Sequence, residues 1–442
     1  MRHKHQYRCG YMRESASQCM TQGTPQNESL VKVRSKSWRA FIASVVAGAC
    51  IFSLAACGDN TPSSALAYDS THNTWASEKL TPLTGEFAAS GASSQKSAVD
   101  AWIVGYSSAQ PHISISYDPS GSGAGVNAFL TGAVSWAGTD APLSQAQLQA
   151  SQAVCNGDNA FEIPTYVSPI ALAYNLSEYG LNGNAIQLSA TTIAKIFNGS
   201  ITMWDDNDIR QENPEIASKL PHIEITPVWR LDKSGTTRTF QTYLHQAAGD
   251  EWSSEPSETW PNSIGQGAKG TPGVVMTIGQ AQGTIGYADY AQTSGLGTVA
   301  VKVGDYYVDP TPDATAELIA NSTWNKDAHK QGRYVLDVDY ATQSEGVYPI
   351  ALVSYDVACR VYPDKRDATF VKQWLSYVLS DAGQIIAQDN AGAAPLPKAL
   401  RNQMLRTVKT ITSASDSKSS SGSEAKGRSD KASQHSTNVQ VR

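Results

Sequence analysis

The 442 residues carry 34 Lys and Arg against 40 Asp and Glu, a net charge of −6, with 40% hydrophobic and 17% charged residues. That composition supplies a sizeable globular core, fits two or so domains, and excludes the basic footprint of a nucleic-acid-binding protein. Residues 1–56 hold eight Lys and Arg and two Asp and Glu, which leaves 26 basic against 38 acidic residues, or −12, in the remainder. So acidic a body gains no long-range attraction for anions, and any anion site in it must be built from local dipoles and a cation in a cleft.

The first predicted element is a targeting segment. Lys32, Arg34, Lys36 and Arg39 form a basic flank, residues 40–54 an uncharged apolar run too short for a comfortable membrane span, and Leu54-Ala55-Ala56-Cys57 its end. This order is that of a bacterial lipoprotein signal peptide, so residues 1–56 are expected to be the leader and Cys57 the lipidated thiol. Residues 57–80, rich in Ser, Thr and Asn, read as a flexible tether. Cys9, Cys19 and Cys50 fall in the leader, leaving Cys155 and Cys359. An export compartment permits a disulfide between them, and two buried free thiols are the alternative. No CxxC or Cys/His cluster is present and the eight His are scattered, so neither a metal nor a cofactor is expected.

The body alternates strands and helices. Gly91-Ala92-Ser93-Ser94 is a small-residue loop ahead of a helix over 98–106. A strand over 112–117 leads through Asp118-Pro119-Ser120-Gly121-Ser122-Gly123-Ala124-Gly125 into a helix from 126; without a Lys and Ser/Thr after its last Gly, this turn is not a P-loop. Asp140 ends the next hydrophobic strand. Two strands follow, over 161–167 and 170–174, the second apolar enough to be buried on both faces. A helix is predicted over 188–197. Trp204-Asp205-Asp206-Asn207-Asp208 lacks the Gly and distal Glu of a calcium loop and reads as the cap of the next helix. A strand over 226–229 precedes a helix over 238–244, and further elements are a helix over 274–282, a turn and strand over 283–290, and an apolar strand over 348–359. A last amphipathic helix covers 367–387, with Phe370, Val371, Trp374, Val378 and Leu379 on its apolar face. Residues 412–442, rich in Ser, Lys and Gly, are expected to be disordered.

Arg230-Leu231-Asp232-Lys233-Ser234-Gly235-Thr236-Thr237 carries the chemistry. Residues 234–237 fall at a helix N-terminus, where backbone N–H groups are unpaired, Ser234 and Thr236 add hydroxyls, and Arg230 can fork onto an oxyanion. Taken alone, the same residues also describe an ordinary capped helix with a surface Arg230–Asp232 pair, and Asp140 a capped turn.

In order and spacing, three segments resemble the phosphate-binding protein of bacterial phosphate ABC transporters, the PstS type. They are Gly121-Ser122-Gly123-Ala124-Gly125, Gly138-Thr139-Asp140-Ala141-Pro142-Leu143-Ser144 and Arg230-Leu231-Asp232-Lys233-Ser234-Gly235-Thr236. Lys195-Ile196-Phe197-Asn198-Gly199, Gly283-Thr284-Ile285-Gly286-Tyr287 and Tyr348-Pro349-Ile350 extend the likeness over residues 84–396. The resemblance implies an α/β, two-lobed periplasmic-binding-protein-like (type II) fold with two strands crossing between lobes, at 170–175 and 348–353. Lobe 1 would comprise 81–174 and 348–411, lobe 2 175–347. It further implies a phosphate site of Ser122, Asp140, Arg230, Ser234, Gly235 and Thr236, with Asp232 steadying the guanidinium. The family's GAGxTFP-like loop falls on Ser93 and Ser94, where Ser94 and Gln95 replace its aromatic residue and proline. Phosphate keeps a proton near neutral pH and sulfate does not, so an Asp140 carboxylate would accept a hydrogen bond from one and repel the other.

The implied role is a monomeric, lipid-anchored lipoprotein on the extracytoplasmic face of the cell membrane. It would pass phosphate to the permease and ATPase subunits of an ABC transporter, bind no nucleic acid and catalyse nothing. Two alternatives stand beside it. One is a secreted phosphatase with Ser122 or Ser234 as nucleophile, against which no Gly-x-Ser-x-Gly elbow is present. The other is a receptor or adhesin for another oxyanion.

Overall fold

The computed structural model describes residues 80–416. Cys57, the predicted leader and residues 57–79 of the tether lie outside the described residues, as do 417–442 of the predicted tail. In chain order the elements open with β1 (Gly85–Gly91), α1 (Lys96–Ala109), β2 (Ile113–Asp118), α2 (Ser122–Leu130), β3 (Trp136–Thr139), α3 (Gln145–Ser151) and β4 (Phe161–Tyr174). The middle of the chain forms β5 (Ile186–Leu188), α4 (Ala190–Phe197), α5 (Asn207–Glu212), β6 (Thr226–Arg230), α6 (Gly235–Ala247), β7 (Gln266–Ala268), α7 (Gly270–Gln280), β8 (Thr284–Asp289), β9 (Gly297–Val303) and β10 (Tyr306–Val308). The remainder supplies α8 (Pro312–Ala320), β11 (Thr323–Trp324), α9 (Lys326–Lys330), β12 (Leu336–Asp337), β13 (Ala351–Ala358), β14 (Val361–Tyr362), α10 (Lys365–Val378), α11 (Asp381–Ala391), α12 (Lys398–Val408) and β15 (Thr412–Ser413).

The architecture is two-lobed α/β, and one strand belongs to both lobes. The main path of the sheet runs β2-β1-β3-β13-β4-β8-β6-β7. β1 pairs parallel with β2 and β3, and β6 parallel with β8 and β7. β4 lies between the two sets: its first part, through Pro169, pairs antiparallel with β13, and Ile170 to Tyr174 pair antiparallel with β8. Every residue of β4 is buried, as a strand covered on both faces has to be. The first lobe's core gathers Trp102, Trp136 and Trp374, with Trp136 stacked on Trp374. The second gathers Phe197, Phe240, Trp260 and Tyr287 around stacked Phe240 and Tyr287 rings.

Several elements differ from the sequence expectation. The strands expected over 161–167 and 170–174 are one strand. Ser168-Pro169 reads as a break because proline gives no ladder donor, yet Pro169 sits where β4 changes partner from β13 to β8, the position where a missing N–H disturbs pairing least. The single helix expected over 367–387 is two, because the Ser380 hydroxyl accepts from the Gly383 N–H and caps α11; nor is it the last helix, since α12 follows. Leu188 belongs to β5, and Ser189 caps the helix expected from 188. Helices α2 and α7 begin at Ser122 and Gly270, four residues ahead of expectation. Residues 412–413 of the predicted tail are ordered as β15, paired with β14. Asp206 caps α5, as expected for the 204–208 segment.

Cys155 and Cys359 are joined in a disulfide, with Cα atoms 5.1 Å apart. Among the described residues, no helix is long and apolar enough to cross a membrane.

Two buried carboxyls stand beside the shared strand. Asp289, the last residue of β8, accepts from Ser168 and from the Tyr166 hydroxyl at 3.0 Å. Asp356 of β13 accepts from Thr165 at 3.2 Å and Gln95 at 3.3 Å. Burial pushes each up to about 7, against the pull of those hydrogen bonds. Their unfolded values lie near 3.9. Between about pH 4 and 7 the unfolded chain therefore releases protons that the folded chain keeps, and stability falls as pH rises, by on the order of a few kcal/mol in all. The melting temperature, followed by circular dichroism, is expected to drop from pH 5 to pH 7.5 and then level off. Asp289→Asn and Asp356→Asn should each shrink the drop; a melting temperature that climbs over this range would refute the assignment.

Candidate functional site

Parallel strands end together, and the helices that follow them begin together. β1, β2 and β3 of the first lobe end at Gly91, Asp118 and Thr139; β6 and β7 of the second end at Arg230 and Ala268. α1, α2, α6 and α7 start within five residues of the strand before each. Four helix N-termini thereby open on the junction between the lobes, each with N–H groups that have no acceptor within their own helix and with the positive end of its dipole. At the carboxyl ends of such strands α/β sheets hold their ligands.

Asp140 stands at the centre, directly after β3 and 4% exposed. Its carboxylate accepts from Ser94 Oγ at 2.7 Å, Thr236 Oγ1 at 2.8 Å and Ser354 Oγ at 2.5 Å. Thr236 comes from the lobe opposite, so the ring of hydroxyls bridges the two lobes. Burial raises the Asp140 carboxyl above the ordinary carboxylate range, while hydrogen bonds from Ser354, Ser94 and Thr236 and the charge of Arg230 pull it back. The Ser122 hydroxyl accepts from the Asp140 N–H and from the Gly235 N–H, both at 3.2 Å. The mouths of α2 and α6 therefore meet end to end across the junction.

Arg230, 2% exposed, provides the cation. Its Nε donates to Asp232 Oδ1 at 2.8 Å and its Nη2 to Asp232 Oδ2 at 2.5 Å, a planar two-point pair that fixes the guanidinium. Asp232 is held in turn by the Gly270 N–H at 2.8 Å. Burial would raise the Asp232 carboxyl, but the hydrogen bonds and charge of Arg230 outweigh it and leave the group below its usual value. Arg230 Nη1 reaches Thr271 Oγ1 at 3.4 Å. From behind, the Tyr287 hydroxyl accepts from the Arg230 N–H at 3.1 Å and bonds Thr237 Oγ1 at 2.7 Å, so one phenol braces strand β6 and helix α6 together.

All the sequence-predicted site residues in the described part lie at this junction, though not in one way. Ser94, Ser122, Asp140, Arg230, Gly235 and Thr236 share the hydrogen-bond network described. The Ser234 hydroxyl accepts from the Thr237 N–H at 3.2 Å and so caps its own helix. Ser93 Oγ accepts from the Thr271 N–H at 2.9 Å, a cap for α7 supplied by the other lobe. Sequence reasoning missed Ser354, Thr271 and Tyr287. Ser354 follows the apolar run Ala351-Leu352-Val353 in a fully buried strand and precedes Tyr355 and Asp356, so nothing local sets it apart as a site residue. Thr271 was hidden by placing the start of α7 too late.

Glycines let the lobes come this close. A Cβ on Gly235 would lie 2.5 Å from Asp140 Cβ and 2.6 Å from its carbonyl carbon; one on Gly121 would lie 2.4 Å from Asp232 Oδ2. Gly121 also has φ +105°, which disfavours any side chain. The assembly is thus a desolvated carboxylate ringed by hydroxyls, next to a neutralised guanidinium, where helix N-termini from both lobes converge. Chemically it suits a small tetrahedral oxyanion that brings a proton to share. Among the described residues no group of three or more His, Cys, Asp and Glu is placed to hold a metal.

Comparison with known proteins gives a consistent result. Residues 76–382 match the PBP superfamily domain. The chain is 32% identical over 329 residues to Phosphate-binding protein PstS 3 of Mycobacterium tuberculosis, covering 73% of this chain and 86% of that one. It is 30% identical over 357 residues to Phosphate-binding protein PstS of Methanocaldococcus jannaschii, covering 77% and 90%. In fold it is similar to a high-affinity periplasmic phosphate-binding protein of the DING type bound with phosphate, with a TM-score of 0.58 at 19% identity over 73% of this chain and 93% of that one. The phosphate-binding protein from Stenotrophomonas maltophilia gives 0.55 at 20% identity over 74% and 93%.

Proposed function

Because this chain belongs to the PstS-type phosphate-binding proteins of the PBP superfamily, we propose that the junction around Asp140 and Arg230 is its phosphate site. The chain binds inorganic phosphate and delivers it to an ABC transporter, outside the cytoplasm, and it is a solute-binding protein rather than an enzyme. In our reading Ser93, Ser94, Ser122, Asp140, Arg230, Ser234, Gly235 and Thr236 hold the anion, and Asp232 positions Arg230. The permease and ATPase of that transporter are its partners, and lipid on Cys57 ties it to the membrane.

The observation that carries this reading is the carboxylate at the centre of the site. A buried carboxylate repels an anion unless the anion donates a hydrogen bond to it. Phosphate has a proton to donate at neutral pH; sulfate does not, and it would leave two acceptors face to face at about 1–3 kcal/mol or more. Arg230 supplies attraction, reduced by Asp232 so that charge alone does not decide. Donors at the mouths of α2 and α6 belong to opposite lobes, so bound phosphate favours the closed arrangement over an open one. That closed form is the one a permease can distinguish.

Calorimetric titration of the chain with phosphate and with sulfate at neutral pH tests the reading. Tight phosphate binding without sulfate binding is expected; equal binding of both would refute the role given to Asp140. Steady release of phenol from an aryl phosphate would instead mark a phosphatase.

Gly235→Ala tests the closure. The added methyl meets backbone across the junction, an overpacking cost of about 1–3 kcal/mol, which corresponds to a roughly 5- to 150-fold loss of phosphate affinity. Both lobes should fold as before, so the melting temperature without phosphate should hardly move. Wild-type affinity in this variant would mean that the lobes need not meet here.

A further inference from the structure

A second feature of the junction has no part in the site as described. Beside Asp140 lies a cavity of about 570 Å3 between the lobes, with Arg238, Thr242 and Gln246 of α6 on one side and Leu143 and Val353 on the other. Two of the charged side chains on its lining, Arg333 and Asp327, are held in ion pairs, while Asp337 keeps its charge. Arg333 is bound to Glu162, with Nε donating at 2.9 Å. Asp327 pairs with Lys330 at 3.1 Å, and Asp337 accepts from Asn325 at 3.0 Å. Arg238 differs: it is exposed and makes no ion pair among the described residues. Glu258 is the acid nearest in effect, its carboxyl raised by burial and drawn back by Arg238 and Lys233.

The position of Arg238 on α6 gives it a direction. Its N–H donates to the Ser234 carbonyl at 3.1 Å, one turn behind the helix mouth. Residues four apart share a face, and at 1.5 Å per residue they stand about 6 Å apart along the axis. The lining of the cavity thus includes both a cation outside any ion pair and the buried Asp140. In a body of net charge −12, an approaching anion is repelled everywhere except where a local cation focuses the field.

We propose that phosphate reaches the Asp140–Arg230 site through this cavity, with Arg238 as the residue that captures it first. This rests on the phosphate-binding reading above but assigns a separate residue to a separate step. Arg238 sets the association rate, while the buried network sets how long the anion stays.

Stopped-flow mixing of the full chain with inorganic phosphate, followed by tryptophan fluorescence, separates these steps. Arg238→Gln is expected to lower the association rate constant about tenfold at low ionic strength and to flatten its salt dependence. Its dissociation rate should stay within about twofold of wild type, so that Kd rises by the same factor as association falls. Arg238→Lys should keep most of the rate. Gln246→Trp, which fills the cavity from an exposed position, should slow association and dissociation equally and leave Kd unchanged. An Arg238→Gln chain with wild-type association and salt dependence would overturn the proposal. So would one whose loss lies in dissociation, since Arg238 would then be a ligand. Unaltered rates in Gln246→Trp would overturn the route. A wild-type chain that takes up no phosphate would overturn the functional reading itself, and this one with it.

Discussion

Arg230→Met is expected to weaken phosphate binding severely, raising Kd by about a hundredfold to several thousandfold. The side chain is 2% exposed, so no solvent takes over its charge. Removing one partner of a buried ion pair costs about 3–5 kcal/mol, and here both Asp232 and the incoming anion lose the same cation. Part of that cost falls on the protein without ligand, because Asp232, whose carboxyl Arg230 holds below its usual value, keeps the Gly270 N–H but loses its cation. Adding Asp232→Asn should restore thermal stability without restoring affinity. Arg230→Lys should fall between, since it keeps the charge but not the two-point fork that Asp232 grips. Calorimetry and a melting curve on the three variants give both readouts. Phosphate affinity within tenfold of wild type in Arg230→Met would exclude Arg230 from the site.

Asp140→Asn is expected to change which anion binds as much as how tightly. A hydrogen bond to a charged group contributes about 1.5–3 kcal/mol, so phosphate should weaken by roughly 10- to 150-fold. Sulfate, which meets an amide donor instead of a carboxylate, should gain, and the preference between the two should largely disappear. The pH dependence follows in sign. Burial holds the Asp140 carboxyl above its ordinary value, so acidification through that raised value protonates it and turns an acceptor into a donor. Sulfate should begin to compete with phosphate in the wild type as pH falls, and no such onset should occur in Asp140→Asn. Competition titrations from pH 7.5 to 4.5 test this; an onset common to both proteins would place the proton elsewhere.

What could be read from the sequence at this site was whatever is local along the chain. A strand ending at Arg230, a Ser at the cap and a helix behind it are fixed by neighbours within a few residues, and β6, Ser234 and α6 lie where those neighbours put them. Ser354 was not legible in the same way. Its hydroxyl meets Asp140 across 214 residues of chain, and within its own strand it is merely a small residue among apolar ones. Distance along the chain left a Cys155–Cys359 disulfide and two free thiols as open alternatives, and the structure shows the disulfide. The continuous β4 shows the opposite failure, a local rule applied where tertiary context overrides it. Ser168-Pro169 is a legitimate break by composition, and only the change of partner strand makes it harmless. In the 367–387 segment the apolar period ran on past the cap at Ser380, and the long pattern was believed over the short one.

The Cys155–Cys359 bond encloses β4 to β13 in one covalent ring. Everything that contributes the second lobe's share of the site, from Arg230 to Thr271, lies inside that ring. β1, α1 and α2 stand outside on one flank, and α10, α11 and α12 on the other. A protease that cuts a surface loop anywhere between the two cysteines opens the ring but releases no fragment. The two flanks, with Asp140 and Ser94 on one of them, remain tied to both pieces, and such a nick stays invisible by size until a reductant is added.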